Sequence, residues 1–281
     1  MGIQFKQVNY AYRGFKQVYK ALSNINLTID AEGELIAIVG QTGSGKSTLA
    51  QHMNALLLPT SGTVDVLGHQ LPPKKKEKIN PIRQKVGLVF QFPEYQLFEI
   101  NILKDVMFGP SNFKETKDHA KEYASEALKT VGIDESLFEE SPFRISGGQM
   151  RRVAIAGILA MRPSVLVLDE PTRGLDPQGR DDIMQIFLDL HKNENKSIIM
   201  ITHDMDLVAQ YAKRVIVLNQ GEIVFDGKKE DLFMHPNFHE FHLDYPSPMK
   251  LLKHLSTTLG YPFKLVLNEK ELLEVIRGGQ K

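Results

Sequence analysis

Short apolar runs punctuate the chain at Glu34 to Val39, Val86 to Phe90, Val165 to Leu168, Ser197 to Thr202 and Arg214 to Leu218. Each is too brief for a helix and shows little alternation, so each predicts a strand buried on both faces. Between these runs the period changes. Ala120, Tyr123, Ala124, Ala127, Leu128 and Val131 fall on one face of a helix, and Gly132 supplies its stop. Further helices are predicted over Lys46 to Leu57, ended by Pro59, and over Gly148 to Met161, Arg180 to Lys192 and Asp206 to Ala212. Strands that alternate with helices imply an α/β fold with a mostly parallel core sheet.

Three regions depart from that alternation. Ile3 to Tyr12, a basic turn around Gly14, Val18 to Ile29 and Thr63 to Leu67 read as short strands, which predicts an N-terminal antiparallel β subdomain. Residues 98–160 carry mainly helical pattern and read as an α-helical subdomain inserted into the sheet. After the hairpin arm at 219–226, the pattern divides the chain into a main domain, 1–230, and a small C-terminal extension, 231–281, with helices expected at Pro248 to Gly260 and Asn268 to Arg277. The charged run at 72–78 predicts a solvated loop.

Composition narrows the classes. Thirty-four basic residues balance thirty-four acidic ones, which argues against a dedicated nucleic-acid binder. There is no cysteine, so disulfide scaffolds and thiolate metal sites are excluded. The first residues lack the apolar core of a secretory signal, and no segment approaches the roughly 20 apolar residues of a bilayer span. A cytosolic location is expected, with any work at a membrane done through a partner.

Gly40-Gln41-Thr42-Gly43-Ser44-Gly45-Lys46-Ser47-Thr48 follows a predicted strand and opens a predicted helix. Its glycines let backbone N–H groups surround an anion, and the helix N-terminus adds positive potential. Lys46 then reaches the β- and γ-phosphates of a nucleotide, and the Ser47 hydroxyl reaches Mg²⁺. The strand Val165 to Leu168 ends in Asp169-Glu170, which places one carboxylate for the Mg²⁺ shell and a second to polarise an attacking water. Thr202-His203-Asp204 closes the next strand, at the edge where parallel sheets bind ligands, so His203 is the candidate sensor of the γ-phosphate.

A second anion site is legible in Arg144-Ile145-Ser146-Gly147-Gly148-Gln149, just before an apolar helix. One cradle suffices for one nucleotide, so a second site is explained if it faces a nucleotide held by another subunit. With these motifs together, the chain resembles an ATP-binding cassette (ABC) ATPase of the P-loop class, with ISGGQ where LSGGQ is commoner. The resemblance implies ATP and Mg²⁺ as cofactors and an ATP sandwiched between two subunits. It implies that Tyr12 stacks on adenine and that Gln91 joins Ser47 and Asp169 around the metal. It further implies that Glu170, with Lys46, Gln91 and His203, carries hydrolysis. Ser146, Gly147, Gly148 and Gln149 would bind the partner's ATP, and Asp176 of the Gly174-Leu175-Asp176 loop would communicate across the dimer. Arg173 stands where that family commonly has Ser or Ala.

Gln91-Phe92-Pro93-Glu94-Tyr95-Gln96-Leu97-Phe98-Glu99 resembles the corresponding segment of energy-coupling factor ATPases, and Ser146 to Gly157 resembles the second of their two ATPase paralogues. That resemblance implies a motor subunit of an importer of vitamins or transition metals. Its expected partners are a paralogous ATPase, a transmembrane coupling protein and a membrane substrate-binding protein, with the chain at the cytoplasmic face of the membrane. Phe92, Tyr95, Leu97 and Phe98 are expected to form the apolar floor of the coupling groove, with Glu94 and Glu99 as its polar rim and Gln96 as a further contact. The extension fits a dimer contact. Two other readings stay open at this point: a soluble ABC protein of translation or DNA repair, and a nucleotide-dependent scaffold. The former lacks its coiled-coil or zinc insertion and its second cassette; the latter is disfavoured because Glu170 and His203 are both present. The spacing of His235, His239 and His242 suggests a metal site, but no carboxylate cluster supports it and Pro236 interrupts the helix it needs.

Overall fold

The computed structural model describes residues 2–14, 17–73 and 78–278. Residues 74–77 of the charged run, and part of the basic turn around Gly14, lie outside the described residues. The chain opens with β1 (Ile3–Arg13), β2 (Val18–Ile29), β3 (Leu35–Val39), α1 (Lys46–Met53), β4 (Ser61–Val66), β5 (His69–Leu71), α2 (Asn80–Lys85) and β6 (Val86–Val89). A helical stretch follows, with α3 (Ile102–Ser111), α4 (Ala120–Thr130) and α5 (Gly147–Leu159). Alternation then resumes through β7 (Val165–Asp169), α6 (Pro177–Glu194), β8 (Ser197–Ile201), α7 (Met205–Tyr211), β9 (Arg214–Asn219) and β10 (Glu222–Lys228). The extension holds α8 (Lys229–Phe233), α9 (Ser247–Leu259) and α10 (Glu269–Gly278).

Two sheets organise these elements. One has the order β2-β1-β4-β5 and is antiparallel. The other has the order β10-β9-β3-β8-β7-β6; its strands run parallel except β10, which returns beside β9. The unbroken apolar runs now have their reason, because successive side chains point to opposite faces and both faces are covered. In β7, Val165 and Val167 pack with α1 and the antiparallel sheet, while Leu166 and Leu168 pack with the helices α3 to α6. In β8, Ile199 and Ile201 face the first core and Ile198 the second.

A third core joins the extension to the main sheet. Val39, Val215 and Val217 meet Met205 and Val208 of α7, and over them lie Phe233, Phe238, Phe241, Met249 and Leu252. The extension therefore folds onto the sheet through a core that it shares with α7.

The first helix is shorter than its pattern suggests. It was expected to reach Leu57 but ends at Met53, because Ala55 turns left-handed at φ +57° and the amides of Leu56 and Leu57 both fold back to the Gln51 carbonyl. On its inner face His52 is fully buried, its Nδ1 2.7 Å from the Thr48 carbonyl oxygen and its ring edge-on to Tyr10. Burial lowers the His52 pKa from 6.5, which favours the neutral ring in the folded protein. Well above pH 6.5 neither folded nor unfolded chain protonates it. Below that value the unfolded chain takes up the proton more readily than the folded one, and stability falls on acidification. In urea titrations between pH 6.5 and about pH 5, His52→Gln is expected to remove a component of up to about 1.4 kcal/mol per pH unit. Equal slopes for variant and wild type would remove His52 from the account.

Candidate functional site

The loop from Gly40 to Gly45 joins β3 to α1, and its glycines are there for close approach. Gly40 has φ +144°, and a Cβ on it would stand 2.1 Å from the Leu218 carbonyl oxygen. Gly45 caps α1 at φ +106°, where a Cβ would stand 2.5 Å from the Ala21 carbonyl oxygen. Neighbouring strands brace the loop: the Gly221 amide donates to the Ser44 carbonyl at 3.0 Å, and the Tyr19 hydroxyl donates to the Gly43 carbonyl at 2.9 Å. Ser44 Oγ is buried without a partner among the described residues, leaving a hydroxyl donor in the cradle. Lys46 Nζ donates to the Gly40 and Gln41 carbonyls at 2.8 Å each. Burial lowers the Lys46 pKa, and the Glu170 and Asp169 carboxylates oppose that shift.

The ends of β7 and β8 bring three further side chains to the loop. Burial raises the Asp169 pKa, and the neighbouring Ser47 hydroxyl opposes that shift. A hydroxyl beside a half-buried carboxylate is an all-oxygen donor set, which suits a hard cation such as Mg²⁺. Glu170 adopts a left-handed backbone at φ +50°, a strained choice for a glutamate. Its Oε1 accepts from the His203 amide at 3.2 Å and from His203 Nδ1 at 2.6 Å, and its Oε2 accepts from the Thr202 hydroxyl at 3.4 Å. A carboxylate is acceptor-only, so Nδ1 carries the proton and Nε2 is left facing outward. The sequence separates Glu170 and His203 by two elements; the parallel pairing of β7 with β8 makes them neighbours.

A groove of about 850 Å³ opens above this cluster, lined by Gly40, Gln41, Thr42, Lys46, Glu170, Arg173 and His203, with Met205 and His242 to Asp244. A smaller cavity of about 240 Å³ adjoins it and contains Gly43, Gly45, Ser47, Thr48, Gln91 and Asp169 together with Tyr19. Tyr12, the aromatic expected at adenine, lines neither; its hydroxyl lies 3.2 Å from Thr48 Oγ1 and its ring is edge-on to Tyr10. Tyr19 pairs with Tyr12 across β1 and β2, and both rings touch the cradle, Tyr12 at Thr48 and Tyr19 at Gly43. Tyr19 sits in the exposed stretch of β2, where alternation does not distinguish it.

Gln91 meets Arg173. With the amide oriented to satisfy both groups, its oxygen accepts from Arg173 Nη1 at 2.8 Å and from Nε at 3.0 Å. The Arg173 carbonyl in turn accepts from Arg151 Nη1 at 2.8 Å, and Arg151 grips Glu94 through both oxygens at 3.1 Å. Two expectations for this segment are corrected here. Glu94 is no exposed rim: its side chain is 16% exposed and bound to an arginine that is 4% exposed. Leu97 is no exposed floor: it is buried in the core of the helical region. Phe92 and Glu99 are half-buried, and the Phe98 and Glu99 amides are both held by Asp105 Oδ2. Tyr95, Gln96, Phe98, Ile100 and Phe108 are exposed and give this region an apolar surface, in which Phe98 meets Phe108 edge-on and Tyr95 leans on Phe92.

Ser146 to Gln149 stand away from the cradle of their own chain, lining neither the groove nor the cavity. They cap α5: Ser146 Oγ accepts from the Gln149 amide, and Gln149 Oε1 accepts from the Ser146 amide. A Cβ on Gly147 or Gly148 would meet nothing within 4 Å, so no contact inside the chain calls for glycine there. Asp176 likewise caps α6 and is exposed. Among the described residues no cluster of three or more His, Cys, Asp or Glu could hold a metal, and none forms around His235, His239 and His242.

Comparison with known proteins puts this geometry in a family. Residues 22–173 match the ABC transporter family. The chain is 48% identical over 280 residues to the energy-coupling factor transporter ATP-binding protein EcfA2 of Ligilactobacillus salivarius, covering 98% of this chain and 96% of that one. It is 54% identical over 237 residues to the protein of the same name from Enterococcus faecalis, covering 83% and 81%. Among solved structures it is similar to cbiO1 from Clostridium perfringens, described as part of the ABC transporter complex cbiONQ, at 35% identity and a TM-score of 0.71 over 92% of this chain and 95% of that one. It is also similar to a dimeric ATP-binding cassette in a post-hydrolysis state bound to ADP and Pi, at 31% identity and a TM-score of 0.70 over 80% and 98%. Identity at this level across nearly the whole chain, with the cradle, the SGGQ helix and the Asp169-Glu170 pair all inside the family match, means that the chain belongs to the ATP-hydrolysing ABC transporter proteins, in their energy-coupling factor branch.

Proposed function

We propose that this chain is one of two paralogous ATPase subunits that drive a membrane importer of the energy-coupling factor type, taking up a vitamin or a transition metal. The observation that carries this reading is the hydrogen-bonded chain from the nucleotide cavity to the apolar patch: Gln91 to Arg173, Arg173 to Arg151, Arg151 to Glu94, and Glu94 to its neighbour Tyr95. An element that joins a hydrolytic site to an exposed apolar surface suits a motor whose work is done on another protein. No helix among the described residues is long and apolar enough to cross a membrane, so the partner has to supply the channel. The chain thus sits peripherally on the cytoplasmic face, beside a transmembrane coupling protein and a membrane substrate-binding protein.

In the proposed cycle two cassettes close on two ATP molecules. Each ATP lies between one chain's cradle and the other's Ser146 to Gln149, where Gly147 and Gly148 leave room for it. Lys46 exchanges its two loop carbonyls for phosphate oxygens. Ser47 and Asp169, with Gln91, would hold Mg²⁺, which when bound would neutralise charge on the β- and γ-phosphates. Glu170 orients the attacking water, and His203, held by Glu170 through Nδ1, stands beside the γ-phosphoryl group. Asp176 meets the partner cassette, and the extension adds to the dimer contact.

Tyr95→Ser with Phe98→Ser tests the coupling surface. Both side chains are exposed, at 83% and 56%, so the fold is expected to tolerate their loss. Co-purification with integral membrane partners is expected to fall by about tenfold or more, with ATP affinity of the isolated chain unchanged. Full retention of those partners would place the coupling surface elsewhere.

A further inference from the structure

The cradle accounts for one wall of the nucleotide groove, and the C-terminal extension builds another. His242, Leu243 and Asp244 line the same 850 Å³ space as Gly40, Lys46, Glu170 and His203. Two anchors hold this crossing segment. On one side Phe238 and Phe241, in a short 3₁₀ turn, are buried in the third core. On the other, Ser247 grips the Asp206 carboxylate through both its amide and its hydroxyl, at 2.6 Å each. Asp206 lies in the first turn of α7, three residues beyond His203. Between the anchors, the two ionisable groups that line the groove have different situations. Asp244 is paired with Lys250 at 2.9 Å. His242 is exposed, is forced left-handed at φ +53°, and makes no side-chain hydrogen bond among the described residues. A left-handed residue lining a polar groove, with its donor unused, is what a ligand contact looks like before the ligand arrives.

We infer that His242 is a further ATP-binding residue, whose imidazole N–H donates to the terminal phosphate of the nucleotide held by the cradle of its own chain. The inference rests on the cradle being the ATP site, and it makes the extension part of that site. It also links nucleotide occupancy to the segment that the third core fastens to the sheet.

Backbone geometry supplies a clean variant. His242→Gly deletes the imidazole at a left-handed position that glycine occupies without strain, so loss of folding is not expected. His242→Asn keeps an N–H donor at a position asparagine tolerates. For the isolated full-length chain, titration with Mg-ATP is expected to show a Kd about 5- to 10-fold higher for His242→Gly. Mg-ADP affinity should change by less than about twofold, and His242→Asn should recover most of the ATP loss. Three results would overturn the assignment: unchanged ATP affinity, equal losses for ATP and ADP, or a loss seen only in the assembled complex, which would make His242 a contact to the partner. Lys46→Ala is the control. If that variant binds ATP as wild type does, the cradle reading has failed and takes the His242 contact with it.

Discussion

Glu170→Gln is expected to lower ATP turnover by about 10²- to 10⁴-fold in the assembled complex while leaving ATP binding intact. The substitution is nearly isosteric, and the remaining amide oxygen can still accept from the His203 amide and Nδ1, the two bonds that fix the wild-type side chain at 3.2 and 2.6 Å. The strained φ of +50° at this residue is a property of the turn after β7 and is unaffected by the change. What disappears is the second carboxylate oxygen as a proton acceptor. Hydrolysis then stalls with both nucleotides enclosed, so a closed ATP-bound dimer should accumulate with the paralogue. Single-turnover release of phosphate, together with the elution volume of the dimer, measures both halves of the expectation. A variant that hydrolyses ATP within about threefold of wild type would show that another group activates the water.

His203 needs separate treatment because its main observed contact is Glu170 itself. Replacing His203 by Ala removes both the proposed phosphate contact and the donor that orients the glutamate. The two losses overlap, so the double variant with Glu170→Gln should be scarcely slower than Glu170→Gln alone.

Much of this site could be read from sequence because its chemistry is local. The cradle occupies consecutive residues, and its mechanism demands glycine at fixed places between a strand and a helix. Asp169 and Glu170 stand out because they end an unbroken apolar run. Residues joined only by tertiary structure were harder to see. Tyr12 and Tyr19 are equivalent as letters in two alternating strands; the register of β1 on β2, with its bulges, decides which ring reaches Gly43. His242 read as a weak metal candidate because histidines lie near it in sequence, whereas in space it shares a groove with the cradle and His203. Arg173 looked like a departure from a familiar pattern, and its use became visible only with Gln91 beside it. The same limit explains Leu97 and Glu94. A segment mixing aromatics with carboxylates looks like surface, but one leucine fills the core between helices and one glutamate finds an arginine 57 residues away.

That arginine carries the second large effect. Arg151→Met is expected to destabilise the protein by about 3–5 kcal/mol, because it leaves the Glu94 carboxylate, 16% exposed, without its bidentate partner and frees the Arg173 carbonyl. Charge reversal at Glu94 should be at least as damaging, since it sets a lysine against a guanidinium that is 4% exposed. Neither variant is therefore a clean probe of partner docking, which is why the exposed Tyr95 and Phe98 serve that purpose. The cost of a lone buried charge differs from the value of the pair. Replacing both members, Arg151→Met with Glu94→Gln, removes the uncompensated charge and should recover about 1–3 kcal/mol relative to the sum of the single changes. Urea unfolding of the four proteins measures that coupling. Activity separates the pair's other role: in the double variant the Gln91–Arg173 contact loses its connection to the 3₁₀ turn at Pro93 to Gln96, so hydrolysis should persist while transport in the assembled complex falls. If the double variant transported at the wild-type rate, the ion pair would be fastening the turn to α5 and nothing more, and the route from nucleotide to patch would have to run through the packing of Phe92 and Leu97 instead.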